Sequence, residues 1–154
     1  MKLKTLESTL SNVEPFRDPK LDLEQYLTSP HIAGHMLYHI EMKFGDIEGK
    51  TVVDLGCGTG MLSIAASLMG ASYCLGLDID DDALSIAREN LDDGEITNVD
   101  LLKVDVIEKR FRRLNVRVEP VTQIKFDLPR SYKNHRRESL DIEVQMLRFS
   151  RIDG

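Results

Sequence analysis

The feature that most constrains this chain is a glycine loop between a short apolar strand and a helix. The residues VVDLGCGTG at positions 52–60 place Gly56, Gly58 and Gly60 directly after the strand. Glycine lets the backbone adopt positive φ angles and approach a ligand closely, and the N-terminus of the following helix attracts negative charge. This pattern is typical of the first turn of a nucleotide-binding α/β sheet.

Strands and helices alternate through the middle of the chain. Apolar runs predict strands at 51–55, 73–77 and 99–104, and helical spacing predicts helices at 61–69 and after the capping acids 80–82. This order predicts a parallel sheet with right-handed crossovers, a Rossmann-like α/β fold. Residues 55–77 carry no charge and are long enough to cross a bilayer, but their glycines favour strand, loop, helix and strand.

Three acidic residues stand at the ends of the three predicted strands. Asp54 precedes the glycine loop, Asp78 follows the second strand, and Asp105 follows the third. A carboxylate at the position of Asp78 can accept both hydroxyls of a bound ribose, and Asp105 lies where an adenine amino group would be met. The G-x-G-x-G spacing differs from the G-x-G-x-x-G of dinucleotide sites. A dehydrogenase that uses NAD is therefore disfavoured, and a glycine turn without a ligand is the other alternative.

The N-terminal third predicts two helices joined by an extended link. Leucines at helical spacing favour a first helix near residues 3–10, and Ser29 with Pro30 predicts the start of a second helix that ends near Phe44. His31, His35 and His39 recur at every fourth residue of that helix. We interpret them as a solvated face, and no metal site is predicted. Cys57 and Cys74 are interpreted as small packing residues, with no disulfide framework.

The C-terminal part differs in pattern and in charge. Residues 116–126 and 140–149 show partial alternation of period two and predict an antiparallel hairpin. Residues 1–100 contain 7 bases and 18 acids, whereas residues 101–154 contain 13 bases and 8 acids. The basic residues of the hairpin loop, which surround Tyr132, are candidates for holding RNA phosphates, and a solvated hairpin turn is the equal alternative from the sequence alone. They are Arg130, Lys133, Arg136 and Arg137.

Four segments together resemble the methyltransferase-like protein five family. They are DLEQYLTSPHIAGHMLY, VVDLGCGTGMLSI, GLDIDDDAL and FDLPRSYKNHRRESLDIEVQMLRF. The resemblance implies an α/β class I S-adenosylmethionine-dependent methyltransferase with a C-terminal antiparallel hairpin. It also implies methylation of N6 of an adenosine in 18S ribosomal RNA, a heterodimer with a small zinc-binding activator protein, and a location in nucleus and cytoplasm.

The same resemblance implies a set of residues that line S-adenosyl-L-methionine. The strand ends predict a ligand role for Asp78 and Asp105 independently. Without the resemblance, Thr28 and Ser29 are ordinary helix caps before Pro30. The implied set is Gln25, Thr28, Gly56, Thr59, Met61, Asp78, Asp105 and Val106.

The chain departs from that family where the target base would be held. Family members carry an Asn-Pro-Pro-Phe loop after the fourth strand, and no two prolines are adjacent here. No catalytic residue can therefore be assigned, and strands 4 and 5 of the 3-2-1-4-5-7-6 sheet are absent. Their absence predicts an open edge on the first strand. An inactive module that binds cofactor or partner is the alternative function.

We predict a single methyltransferase domain over residues 1–154. It comprises N-terminal helices in residues 1–50, a cofactor half in 51–106 and the hairpin in 107–154. The third strand, residues 99–104, is expected at the edge of the sheet, where a partner can add a strand. We predict that the activator docks there.

Overall fold

The structure is a computed structural model that describes residues 1–105 and the backbone of residues 116–129 and 139–151. The chain divides into two compact units, residues 1–107 and residues 108–154. The first unit contains α1 (Leu3–Leu10), a 3-10 turn (Leu21–Leu23), α2 (Pro30–Phe44), β1 (Thr51–Leu55), α3 (Met61–Leu68), β2 (Tyr73–Asp78), α4 (Asp81–Asp93) and β3 (Val99–Lys103). The second contains β4 (Val116–Pro129) and β5 (Ser139–Arg151).

Helix α2 begins and ends where its sequence predicts. The Ser29 hydroxyl accepts a hydrogen bond from the Ile32 amide at 3.3 Å, and Pro30 occupies the first helical position. Gly45 ends the helix with a φ of 62°, the left-handed conformation that glycine adopts at no steric cost. Helix α1 packs against α2 and buries Leu6 and Leu10 completely.

The two N-terminal helices approach closely at Gly34. A Cβ atom built on Gly34 would lie 3.0 Å from Cγ of Glu7 in α1, closer than ordinary van der Waals contact. We therefore expect Gly34→Ala to destabilise the protein by about 1–3 kcal/mol through crowding, partly offset by about 1 kcal/mol of helix propensity. Urea unfolding measures the change.

The matched control for this prediction is the same substitution in a Glu7→Ala background. Glu7→Ala removes the Cγ atom that crowds position 34, so only the gain in helix propensity should remain. Gly34→Ala should then become stabilising. An equal loss of stability in both backgrounds would contradict the proposed contact.

The sheet of the first unit is parallel, with the order β1-β2-β3. Thr51 pairs with Tyr73, and Asp78 pairs with Lys103, so the carboxyl ends of the strands lie at the same edge. The predicted strand–helix alternation is confirmed, and within the described residues β3 lies at the edge of the sheet, as expected. Among the strands that the structure describes, β1 pairs with β2 alone, which agrees with an open edge.

The two faces of this sheet differ in their covering. Val52, Cys74, Val99 and Leu101 point to one face and belong to the core with helices α1, α2 and α3. The alternate residues point to the opposite face. There, Val53 and Leu55 are each 51% exposed and Leu102 is 53% exposed. Within residues 1–105, this opposite face is an apolar surface open to solvent.

The second unit is an antiparallel pair of long strands, as predicted. Its register runs from the Val116–Arg151 pair to the Pro129–Ser139 pair, with one irregularity between Pro120 and Thr122. Proline lacks an N–H group, so a shift of register at this position fits its chemistry. The helices in the described part of the chain are all too short or too polar to cross a membrane.

Candidate cofactor site

The glycine loop is held against the end of the neighbouring strand. Gly56, Gly58 and Gly60 have φ angles of 77°, 54° and 89°, in the region that favours glycine. The N–H groups of Gly56 and Cys57 both donate to the carbonyl of Leu77, at 2.8 and 2.9 Å. The loop therefore crosses the carboxyl ends of β1 and β2, where parallel sheets bind ligands.

Asp78 lies directly against this loop. One carboxylate oxygen accepts from the Gly58 amide at 2.8 Å, and the other accepts from the Asp80 amide at 2.9 Å. A carboxylate offers about four lone-pair sites, so both oxygens keep the capacity to accept a ligand hydroxyl. Asp78 thus fixes the loop and presents a charge to the site.

A cavity of about 450 Å³ lies beside Asp78 and brings together four of the predicted cofactor residues, Gln25, Gly56, Asp78 and Asp105. Most of the remaining wall comes from the N-terminal link, which contributes apolar and aromatic residues together with the acids Asp22 and Glu24. A pocket with apolar walls and a few carboxylates suits a nucleoside, whose base needs an apolar slot and whose ribose needs acceptors. Additional lining residues are Phe16, Leu21, Tyr26 and Ile79.

A smaller cavity, about 60 Å³, lies on the helix side of the loop and is lined by Thr28, Thr59 and Met61 as well as Gly56. The Thr59 hydroxyl is buried, and no residue of the described part of the chain hydrogen-bonds to it. A buried hydroxyl without a partner is costly unless a ligand or water satisfies it. The donor set of both cavities therefore fits S-adenosylmethionine, with the nucleoside in the larger one and the amino acid end in the smaller.

Phe16 is a site residue that the sequence analysis missed. Its ring contributes to both cavities and packs on Gly58, where a built Cβ would lie 2.7 Å from Cζ of the ring. The signal available in the sequence was an aromatic residue inside the proline-bounded link between Pro15 and Pro19. We call residues 11–29 the N-terminal strap, because they cross over the glycine loop.

One buried side chain fastens the first half of the strap. The Asn90 amide oxygen accepts from the Glu14 N–H at 2.9 Å, and its nitrogen donates to the carbonyls of Glu14 and Thr59 at 3.1 and 2.9 Å. An ion pair between Arg17 and Glu89 lies nearby on the surface. Helix α4, the strap and the glycine loop are therefore joined by a single hydrogen-bonding group.

Gln25 fastens the second half of the strap. Its amide nitrogen donates to Asp80 at 2.7 Å, and its oxygen accepts from the Lys20 N–H at 2.8 Å. Burial alone would raise the pKa of Asp80, but hydrogen bonds from Lys20 and Gln25 outweigh it and hold that pKa below its ordinary value. Gln25 lines the larger cavity and also ties the strap to the N-cap residue of α4.

The lowered pKa of Asp80 predicts a dependence of stability on pH. A folded-state pKa below the unfolded one stabilises the fold at pH above about 4, and this contribution is lost as the pH falls through the lowered pKa. We expect the melting temperature of Asp80→Asn to fall less steeply than that of wild type between about pH 5 and pH 3. Thermal melts across this range test it, and parallel curves would contradict it.

The two cysteines do not form a nucleophilic centre. Burial, with the nearby charges of Asp54 and Asp78, raises the pKa of the Cys57 thiol to about 12, and burial also raises the pKa of Cys74. Burial likewise raises the pKa of Asp54, against a 2.7 Å hydrogen bond from Ser63. Both thiols are buried and protonated, which agrees with their interpretation as packing residues.

Five of the predicted site residues lie outside the part of the chain that the structure describes. Val106 and the basic residues of the hairpin loop lie outside the described residues, so their roles stay predictions. Those basic residues are Arg130, Lys133, Arg136 and Arg137.

Comparison with known proteins agrees with this fold. A family model described as ribosomal protein L11 methyltransferase (PrmA) matches residues 35–120. A solved structure of a proposed RNA methyltransferase from Pyrococcus horikoshii superposes with a TM-score of 0.80 at 25% identity, covering 99% of each chain. A Thermoplasma acidophilum structure shares the fold, with a TM-score of 0.67 at 20% identity and coverage of 96% and 98%. The fold and site define a class I methyltransferase, whose cofactor is S-adenosylmethionine.

Two relatives narrow this class to a family. The rRNA N(6)-adenosine-methyltransferase METTL5 of Danio rerio is 37% identical, with 97% of this chain and 99% of the relative covered. The Drosophila melanogaster relative of the same description is 33% identical, with coverage of 97% and 96%. The chain belongs to the METTL5 family.

The alignment with these relatives also bears on the missing strands. It runs over 205 positions, although this chain has 154 residues. The zebrafish relative therefore has residues with no counterpart here, while both chains are covered almost completely. This agrees with the absence of an internal segment, which the lack of an Asn-Pro-Pro-Phe loop indicates.

Proposed function

We propose that the protein transfers a methyl group from S-adenosylmethionine to N6 of an adenosine in 18S ribosomal RNA, together with a small zinc-binding activator. The observation that carries the cofactor part is the pair of cavities on either side of the glycine loop, with Asp78 between loop and strand. Membership of the METTL5 family, whose relatives are described as rRNA N(6)-adenosine-methyltransferases, supports the substrate.

The residues of this chain would bind and orient the cofactor. Asp78 would accept the ribose hydroxyls, Asp105 would lie at the base, and Thr28, Thr59 and Met61 would line the amino acid end. The cofactor supplies an electrophilic methyl group when bound, so the protein needs no activated nucleophile. Its contribution is to hold the donor rigidly and to exclude water beneath the strap.

The second candidate function is an inactive module that binds cofactor or partner. The missing Asn-Pro-Pro-Phe loop favours it, because that loop would grip the target amine and stack on the flipped base. An assay of methyl transfer to an rRNA fragment by the purified complex distinguishes the two functions. The intact mass of the protein in that complex is measured first. Transfer by a protein of the mass of 154 residues supports the enzyme. Cofactor binding without transfer supports the module.

We propose that the basic hairpin loop contributes to RNA binding. Neutralising one phosphate-binding residue should lower the salt dependence of affinity by about one unit of slope. Arg136→Gln and Arg137→Gln should each show this decrease, measured by titration of an rRNA fragment at several salt concentrations. Lys43→Gln, on helix α2 of the first unit, is the control. Equal salt slopes in all variants would show that the loop does not contact the RNA.

We propose that the activator docks at the edge of β3, which pairs with β2 alone among the strands that the structure describes. Leu102 is 53% exposed there, whereas Leu101 packs into the core beneath Gly76. Leu102→Glu should therefore weaken co-purification with the activator without unfolding the chain. Met42→Glu is the matched control, because Met42 is 61% exposed on helix α2. Unchanged co-purification of Leu102→Glu would exclude this edge.

Two further expectations stay predictions. They are that residues 1–154 form one methyltransferase domain and that the protein is located in the nucleus and cytoplasm.

A further inference from the structure

Helix α2 presents two histidines on adjacent turns of one exposed face. His31 and His35 are four residues apart, with ring centroids separated by 4.3 Å. Their side chains are 73% and 52% exposed, so both rings are accessible from solvent. His39, one turn further on, takes no part in this pair.

A carboxylate from another helix faces both rings. The same oxygen of Glu7 in α1 lies 2.8 Å from Nδ1 of His31 and 3.3 Å from Nε2 of His35. Glu7 reaches this position because Gly34, between the two histidines on α2, has no side chain to keep α1 away. Three donor atoms from two helices therefore converge, all within 4.8 Å of one another.

We propose that Glu7, His31 and His35 form a binding site for a divalent transition metal of the zinc type. Imidazole nitrogen and carboxylate oxygen are zinc ligands, and a tetrahedral ion about 2.0–2.2 Å from each ligand separates two of them by about 3.3–3.6 Å. The observed 3.3 Å separation lies at the lower end of this range, and the 2.8 Å separation is shorter than the range, so Glu7 would have to move by about 0.5 Å to accept the ion. Solvent completes the coordination on the exposed side.

The proposed metal would join α1 to α2 and thereby anchor the start of the N-terminal strap. The sequence alone favours a solvated histidine face because it does not reveal that Glu7 of α1 approaches this face. The competing arrangement is the direct 2.8 Å hydrogen bond between Glu7 and His31, which needs no metal. The two arrangements make different predictions, because only the proposed metal site binds Zn²⁺ at neutral pH.

The test is a titration of the full chain, freed of any affinity tag, with Zn²⁺ by calorimetry and with Co²⁺ by visible absorption. Wild type should bind one equivalent and melt at higher temperature with Zn²⁺. Glu7→Gln, His31→Ala and His35→Ala should each lower the affinity by more than the roughly 10- to 100-fold that an outer-sphere partner contributes. His39→Asn should bind as wild type does.

Circular dichroism of the metal-free variants separates loss of the site from loss of the fold. Glu7→Gln keeps the shape of the side chain, so we expect it to disturb the packing of α1 against α2 least of the three variants. Absence of Zn²⁺ binding by folded wild type would overturn the proposal. So would equal affinities in wild type and in all three ligand variants, or a loss confined to His39→Asn.

Discussion

Asp78→Ala is expected to abolish measurable binding of S-adenosylmethionine at concentrations that saturate the wild-type protein. The substitution removes the proposed acceptor of the ribose hydroxyls and also releases the Gly58 amide from the carboxylate. Loss of two hydrogen bonds to a charged group costs about 3–6 kcal/mol, roughly a 100-fold or greater decrease in affinity. Isothermal titration calorimetry with the cofactor and with S-adenosylhomocysteine measures it.

Two further variants make this result interpretable. Asp78→Asn preserves the shape and one acceptor oxygen, so its affinity should lie between wild type and Asp78→Ala. Asp92→Ala removes an exposed acid from the last turn of α4 and should leave affinity unchanged. Wild-type affinity in a folded Asp78→Ala protein would exclude Asp78 from the cofactor site.

Gly58→Ala is expected to lower both stability and cofactor affinity. The residue has a φ of 54°, and its Cβ would meet the Phe16 ring at 2.7 Å, so either the loop or the strap must move. Left-handed backbone for a non-glycine residue costs about 1–2 kcal/mol and crowding adds about 1–3 kcal/mol. Urea unfolding and cofactor titration of the same preparation measure the two effects.

The chain contains a matched control for the backbone part of this effect. Gly45 has a φ of 62°, yet nothing lies within 4 Å of a Cβ built on it. Gly45→Ala should therefore cost only the backbone strain, about 1–2 kcal/mol, and leave cofactor affinity unchanged. Adding Phe16→Leu to Gly58→Ala should recover part of the lost stability. Equal losses for Gly45→Ala and Gly58→Ala would show that Phe16 does not pack on the loop.

The sequence predicted the sheet and its loop well because their determinants are local. Alternation of apolar runs with helical spacing defines β1, β2 and β3, and each helix cap depends on a residue beside it, such as Ser29, Gly45 or Asp80. Asp78 and Asp105 follow from the same local pattern, because the carboxyl ends of parallel strands share one edge.

The strap and its contacts were not predictable in this way. Phe16 packs on Gly58, 42 residues further along the chain, and the hydrogen bonds from Gln25 to Asp80 and from Asn90 to Glu14 join residues 55 and 76 apart. No periodicity encodes such contacts. The convergence of Glu7 on the α2 histidines is of the same kind, since it depends on how closely two helices pack at Gly34. Side-chain contacts between distant segments need the folded coordinates.

The double attachment of the strap has a consequence for local opening of the structure around the cofactor site. Asn90 holds it at Glu14 and Gln25 holds it at Asp80, so we expect a cofactor bound against Phe16 to favour the state in which both attachments are closed. Opening of the strap and release of the ligand would then share one equilibrium. Amide hydrogen exchange in residues 14–25 should therefore slow in proportion to cofactor occupancy, which makes the strap an internal reporter of the filled site.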